Sequence, residues 1–457
     1  MLALAPLALS GCSIEDHLLE PQQPGIISPE SVAAAGLAGA QALYVGAIGA
    51  LQNWTCGGGN NNNQNMCMYA DLLTDVWKTS DTFSQRIDMD RRVVQTNDGE
   101  VTGRYATMQQ SRGYYRDALN SLKQFNTTEP EKQGEMYFAL GYTELNFGEF
   151  FCNGIPFGST ADGQPVYTKP ITNQETFALA IAHLDSAITL SSGTTALAVR
   201  VRNAAMVAKG RALVDMGKFA EAAAAVAGVA TSYQYILTYS QPTLSNAIWV
   251  NHYSASSSAR YVVGDSVAVV NGVDAVIRNA IPFGSANDPR VPVTGTYKST
   301  TSGFDGSTAY VRANIWTARE TPTVLTSGVD ARLIEAEAKL NANDVAGMMT
   351  ILNALRASPQ TLGGLAVAAM PALATPATQA AATNLLFREK AFWQFGRGTR
   401  LGDLRRLIRQ YNRAEDQTFP EGGFHKAPFA FGDDVNLPVP DSEKQNPNFT
   451  GCIDRKA

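Results

Sequence analysis

The chain has 457 residues, of which 45% are hydrophobic and 17% charged. The charged share lies below the ~25% of ordinary soluble domains, while the apolar share is large enough to build a core and excludes disorder along the whole length. A formal net charge of −5 excludes a general nucleic-acid binder, since no basic excess exists to neutralise phosphates, and no run approaches the ~20 apolar residues of a membrane-spanning helix.

Residues 1–9 are apolar but too short to span a bilayer. They run into Leu9-Ser10-Gly11-Cys12, and a short apolar region closed by small residues reads as a signal peptide over residues 1–11. The cysteine at the cleavage point resembles a bacterial lipobox, which implies that Cys12 is lipidated and first in the mature chain. Ser13 behind it, in place of Asp, points to the outer membrane. Glu15-Asp16 looks like an acidic surface-export signal. No Lys or Arg precedes the apolar stretch, which leaves an upstream start codon open. Residues 12–27 form a tether, and residues 28–457 are expected to form one domain.

Removing Cys12 from the five cysteines leaves four, an even number suited to an oxidising compartment. Three pairings are possible. Cys56 and Cys67 bracket a polar Gly/Asn loop and are the natural local pair. Cys152 and Cys452 would then tie mid-chain to C-terminus, or stand as two buried free thiols. No CxxC occurs and the four histidines (17, 183, 252, 425) are scattered, so no zinc site and no cofactor is expected.

Ser28-Pro29-Glu30 reads as a helix start, with a Ser cap, Pro at the first position and Glu at the positive end; that helix is expected to reach residue 51. A second helix is expected over 70–76. Helical spacing of Tyr105, Met108, Tyr115, Leu119, Leu122 and Phe125 predicts a third over 103–125. Further helices are predicted over 131–150 and 176–190. Residues 198–216 and 219–229 form an α-hairpin turning at Gly217-Lys218, and 330–340 with 345–356 a further one turning at Asn343-Asp344. Gly141, Gly148 and Phe150 repeat as Gly210, Gly217 and Phe219, a displacement close to two tetratricopeptide repeats of ~34 residues. The fold class is therefore mainly α, a tetratricopeptide-like scaffold of helical hairpins over about 103–231 and 329–410. Between 233 and 326 Gly, Ser, Thr, Asn and aromatics replace the helical period. β-prone runs at 261–263 and 266–270 make this an irregular loop and β-hairpin region, the place where binding function is expected. The Ala/Pro/Thr-rich stretch 366–382 reads as a surface excursion.

The C-terminal third carries a recognisable pattern. Leu385-Leu386-Phe387-Arg388-Glu389-Lys390-Ala391-Phe392-Trp393, followed by Gly398-Thr399-Arg400-Leu401-Gly402-Asp403-Leu404-Arg405-Arg406, resembles the signature of the SusD/RagB family. Leu437-Pro438-Val439-Pro440 and Asn446-Pro447-Asn448 are similar to its closing element, and residues 332–338 and 352–356 to its last repeat. Gly154-Ile155-Pro156 and Asp288-Pro289-Arg290 match two shorter elements. Lys390 replaces the usual Arg, and Arg397 stands where many members have Glu, which puts the local ion-pair pattern in question. Glu389, Arg400, Asp403, Arg405 and Arg406 read as scaffold ion pairs, and Phe392, Trp393 and Phe395 as core.

No GxSxG, HExxH, GxxxxGK[ST] or GxGxxG stands in its proper context, and acid pairs such as Glu144/Glu149 arise by chance among 41 acids. No enzymatic activity is expected. The resemblance implies an outer-membrane lipoprotein facing the cell exterior. Such a protein captures a nutrient, usually an oligosaccharide, caps a SusC-like TonB-dependent transporter and hands the ligand over. Flat rings suit sugar C–H faces and polar groups suit the hydroxyl rim. The expected ligand contacts are thus Trp77, Trp249, Tyr253 and Trp316 with Asn251 and Arg312; Trp54 is a further candidate. The alternative is an envelope scaffold lipoprotein that binds a protein partner; it would not need the 233–326 insertion.

Overall fold

The computed structural model describes residues 34–58, 65–161 and 164–457. The signal segment, Cys12, the tether and the Ser28-Pro29-Glu30 helix start lie outside the described residues. The helices are α1 (Leu37–Thr55), α2 (Met66–Leu72), α3 (Ser84–Asp90), α4 (Gly99–Phe125), α5 (Pro130–Phe150), α6 (Asn173–Leu190), α7 (Ala196–Asp215), α8 (Phe219–Val226), α9 (Gly328–Asn341), α10 (Val345–Ala357), α11 (Gln379–Trp393) and α12 (Arg400–Arg409). Each of α4 to α10 packs on the next helix in this order save that α8 meets α9 across the irregular region, while α1 lies along α4. The architecture is the expected one, a tetratricopeptide-like run of helical hairpins.

Local chemistry sets the ends of these helices. Asp98 accepts from the amides of Glu100 and Val101, which starts α4 four residues before the expected position. Thr172 with Glu175 and Ser327 with Asp330 close capping boxes on α6 and α9. Gly217 ends the first hairpin helix at φ 74°, and Asn343 turns the later hairpin at φ 59°. The repeat glycines serve close approach. A Cβ on Gly141 would stand 2.7 Å from Leu184 Cγ and 2.8 Å from the carbonyl oxygen of Ala180, and one on Gly148 would stand 2.5 Å from the Phe177 ring. These glycines therefore let α6 lie directly on α5.

Two expectations are corrected. The helix expected over 70–76 lies at Met66–Leu72, and Trp77–Thr79 is a strand paired with Tyr261–Val263; buried Thr74 and Asp75 occupy the turn between them. The stretch 366–382 is not a free excursion. Leu365–Val367 pairs with Gln360–Leu362, Val367 and Met370 are buried against α9 to α11, and α11 begins at Gln379.

Residues 233–326 form short antiparallel pairs anchored at both ends of the chain. Gly57–Gly58 pairs with Ser245–Asn246, Thr323–Ser327 with Gln234–Leu237, and Glu421–Gly422 with Val273–Arg278. The residues of the C-terminal motif sit inside the scaffold. Buried Glu337 accepts from Lys390 at 2.8 Å, from Tyr411 at 3.1 Å and from Arg406, and Arg406 also binds Asp403. Burial works to raise the pKa of Glu337 and Asp403, but Arg406 and Lys390 outweigh it and hold both below their usual values. Glu389 accepts from Arg290 and Arg356, and Asp75 from Arg400 at 2.9 Å. Arg405 donates to the carbonyls of Gly148, Glu149 and Phe151, which closes the C-terminal end of α5. Lys390 and Arg397, the two departures from the family pattern, both find carboxylates: Glu337 with Asp403, and Asp330.

Candidate functional site

The expected contacts Trp249, Asn251 and Tyr253 fall on one π-helical turn, Trp249–Tyr253, closed by the Ser254 amide on the Trp249 carbonyl at 2.9 Å. A side chain starts the turn. Asn246 Oδ1 accepts from the amides of Ile248 and Trp249, at 2.8 and 3.2 Å. Asn251 and His252 point inward. Asn251 donates to the Ala247 carbonyl at 2.9 Å and is 1% exposed. His252 Nε2 accepts from the Ala313 amide at 2.8 Å, which leaves Nδ1 to donate to the Tyr261 carbonyl at 2.8 Å. Burial, with Arg312 nearby, pulls its pKa down to about 4 despite the Tyr261 bond, so the ring is neutral.

Trp249 and Tyr253 take the outer side and are half-buried. Each carries a guanidinium on its face: Arg319 lies 4.8 Å from the Trp249 centroid and Arg312 lies 4.4 Å from that of Tyr253. Arg312 is steadied by Asn314 at 3.3 Å, and Tyr310 donates to the His252 carbonyl at 2.7 Å. The structure therefore brings Trp249, Tyr253 and Arg312 to one ledge.

The chain beyond this turn leads to a second aromatic–arginine cluster, which the sequence did not disclose. Arg260 lies 4.0 Å from the Phe304 centroid and 5.5 Å from that of Phe83; Arg86 lies 4.7 Å from Phe83. Both rings are open to solvent, Phe83 at 49% and Phe304 at 39%. Buried Asp81 holds the two arginines from beneath, at 2.8 Å from Arg260. The available signal was Phe83 beside Asp81, in a stretch without apolar period. Phe304 gives none, since its partner lies far off in sequence.

The remaining expected contacts lie elsewhere. Trp77 and Trp316 are 1% and 5% exposed; Trp77 packs at tilted angles against Trp316, Phe395 and His252, and Trp316 stacks on Phe395. Strand pairing turns Trp77 into the core, while Trp316 lines a cavity with Trp54 and Phe395, apart from the Trp249 turn. Asn251 spends its amide within its own turn. Trp54 is buried and donates to the Tyr115 hydroxyl at 3.0 Å. Cys56 is bonded to Cys67 and Cys152 to Cys452. Glu144 is taken up by Arg112 and His183, and Glu149 by Arg211. Among the described residues no helix is long and apolar enough to cross a membrane, and no group of His, Cys, Asp or Glu is placed to hold a metal ion.

No family model and no curated protein matches the chain by sequence. Solved structures do match by shape. A SusD superfamily protein from Bacteroides thetaiotaomicron VPI-5482 superposes with a TM-score of 0.65 at 14% identity, over 92% of this chain and 100% of that one. Another from Bacteroides vulgatus ATCC 8482 gives 0.62 at 15% identity, over 91% and 98%. A SusD-like carbohydrate binding protein from Bacteroides fragilis NCTC 9343 gives 0.64 at 13%, over 90% and 98%. Along nine-tenths of its length, the chain has the fold of the SusD superfamily.

Proposed function

We propose that the chain is a non-catalytic binding protein for a sugar nutrient, held at the outer membrane by a lipid on Cys12 and facing the cell exterior. There it would cap a SusC-like TonB-dependent transporter and deliver its ligand. The observation that carries the binding role is the ledge: Trp249 and Tyr253 on one turn, with Arg319 and Arg312 on their faces. Ring edges and faces take the apolar C–H side of a pyranose, and guanidinium N–H groups take its hydroxyl oxygens. Each ring adds roughly a kcal/mol beyond its buried area, so this ledge with the Phe83–Phe304 pair would give weak to micromolar binding. The fold supports this reading, since one protein of the same fold is described as carbohydrate binding.

The test is calorimetric titration of the lipid-free protein with a panel of neutral oligosaccharides. Binding without release of shorter sugars is expected. Trp249→Ala and Tyr253→Ala should each weaken it roughly tenfold while the melting temperature holds. A ligand whose affinity ignores both substitutions, and those of Phe83 and Phe304, would place binding elsewhere. Cys12→Ala should move the protein to the soluble fraction; retention of that variant in membranes lacking the transporter would refute the anchor.

A further inference from the structure

A groove of 790 Å³ opens between the hairpin of Val267–Val270 with Val273–Arg278, the loop around Tyr297 and the segment around Phe429. That volume lies within the ~300–1,000 Å³ of small-ligand sites. Its charged lining is Lys78, Lys298 and Lys426 against one carboxylate, Asp274, on a chain whose net charge is −5. Lys298 pairs with Asp274 at 2.8 Å, and Lys426 pairs with Asp305.

Lys78 differs from the other two. It is 8% exposed, and its ammonium donates to one acceptor, the Val267 carbonyl at 2.9 Å. Two of its three N–H groups therefore have no acceptor among the described residues. Burial lowers its pKa to about 8, against the pull of Asp265 and Asp90, so the charged form still dominates at neutral pH. A largely buried ammonium with spare donors is a costly arrangement that an anionic oxygen would relieve. The rest of the lining offers hydroxyls at Ser299, Ser307 and Thr308, and rings at Tyr297 and Phe429, the latter 42% exposed.

We propose that this groove is a second binding site, for a short acidic oligosaccharide whose uronate carboxylate meets Lys78 while its ring faces rest on Tyr297 and Phe429. It shares no residue with the Trp249 ledge; that its anionic ligand is a saccharide rests on the function proposed above.

The test is titration of the whole chain with a trimer of galacturonate, a trimer of mannuronate and the methyl esters of both. At least one acid should bind, its ester roughly tenfold or more weaker. Lys78→Gln should cut acid binding by at least the same factor. Lys298→Ser, on the surface and harmless to the fold, should cut it severalfold. Trp249→Ala should leave it unchanged, which separates this site from the ledge. The proposal is overturned if neither acid binds at roughly millimolar concentration, if acid and ester bind alike, or if Trp249→Ala abolishes binding that Lys298→Ser leaves intact.

Discussion

Two nitrogens of the Arg397 guanidinium donate to the Asp330 carboxylate, at 2.9 and 2.7 Å. The same carboxylate receives the Ser327 amide at 2.7 Å and so completes the capping box of α9. Burial alone would raise the pKa of Asp330, and Arg397, with hydrogen bonds from Gln394 and Ser327, more than reverses this. Arg397→Met strands a buried carboxylate and should cost about 3–5 kcal/mol in chemical denaturation. Adding Asp330→Asn should restore part of the loss, because the stranded charge is then gone. A single variant as stable as wild type would refute the coupling.

Gly141→Ala tests the contact between α5 and α6. The new Cβ meets the Ala180 carbonyl oxygen, which cannot rotate away as a side-chain end can. Despite the better helix propensity of alanine, a loss of about 1–3 kcal/mol is expected from overpacking. Gly103→Ala, whose Cβ has nothing within 4 Å, should be neutral or slightly stabilising in the same assay.

The two disulfides should differ in weight. In the chain-entropy view the bridge of separation 11 contributes about 3 kcal/mol and the bridge of separation 300 about 6 kcal/mol. Replacing Cys152 and Cys452 by Ser should therefore lower the denaturation midpoint more than replacing Cys56 and Cys67. Equal effects, or the reverse order, would show that native contacts outweigh loop closure here.

His252 makes stability depend on pH. In the unfolded chain it takes up a proton below about pH 6.5; in the fold, burial delays that to about pH 4. The unfolded state thus binds more protons within that window, and stability rises with pH there. The contribution is complete above pH 6.5 and is lost as pH falls toward 4, a change of about 3 kcal/mol. Comparing urea denaturation at pH 4.5 and 7.5, His252→Gln should lose less stability on acidification than wild type. The same pH slope in both would contradict a buried neutral imidazole.

The helical scaffold was legible because its signals are local. Periodic apolar positions on α4, the Gly217 turn, the Asn343-Asp344 turn and the glycines at 141 and 210 each act within one or two turns of helix. What the sequence concealed depends on distant partners. Trp77 and Trp249 both stand in aperiodic segments with similar neighbours. Pairing with Tyr261–Val263, more than 180 residues on, sends the first into the core, while a π-turn fixed by Asn246 turns the second outward. The Phe83–Arg260–Phe304 cluster joins three separate segments, so no window of sequence contains it. The start of α4 was readable from Asp98, whose capping oxygen sits just ahead of the apolar period.

The closure of α5 by Arg405 has a temporal side. A ribosome adds Arg405 256 residues after Glu149, and at about 5–20 residues per second that interval lasts more than roughly ten seconds. Throughout it, Asn173 can already donate to the Gly148 and Phe151 carbonyls, at 3.0 and 3.3 Å, but the Glu149 carbonyl lacks the guanidinium that finally donates to it. The middle of the molecule is therefore completed by its end. A nascent chain interrupted before α12 is an unfinished version of the same body, with a helix end only partly closed for chaperones and proteases to find.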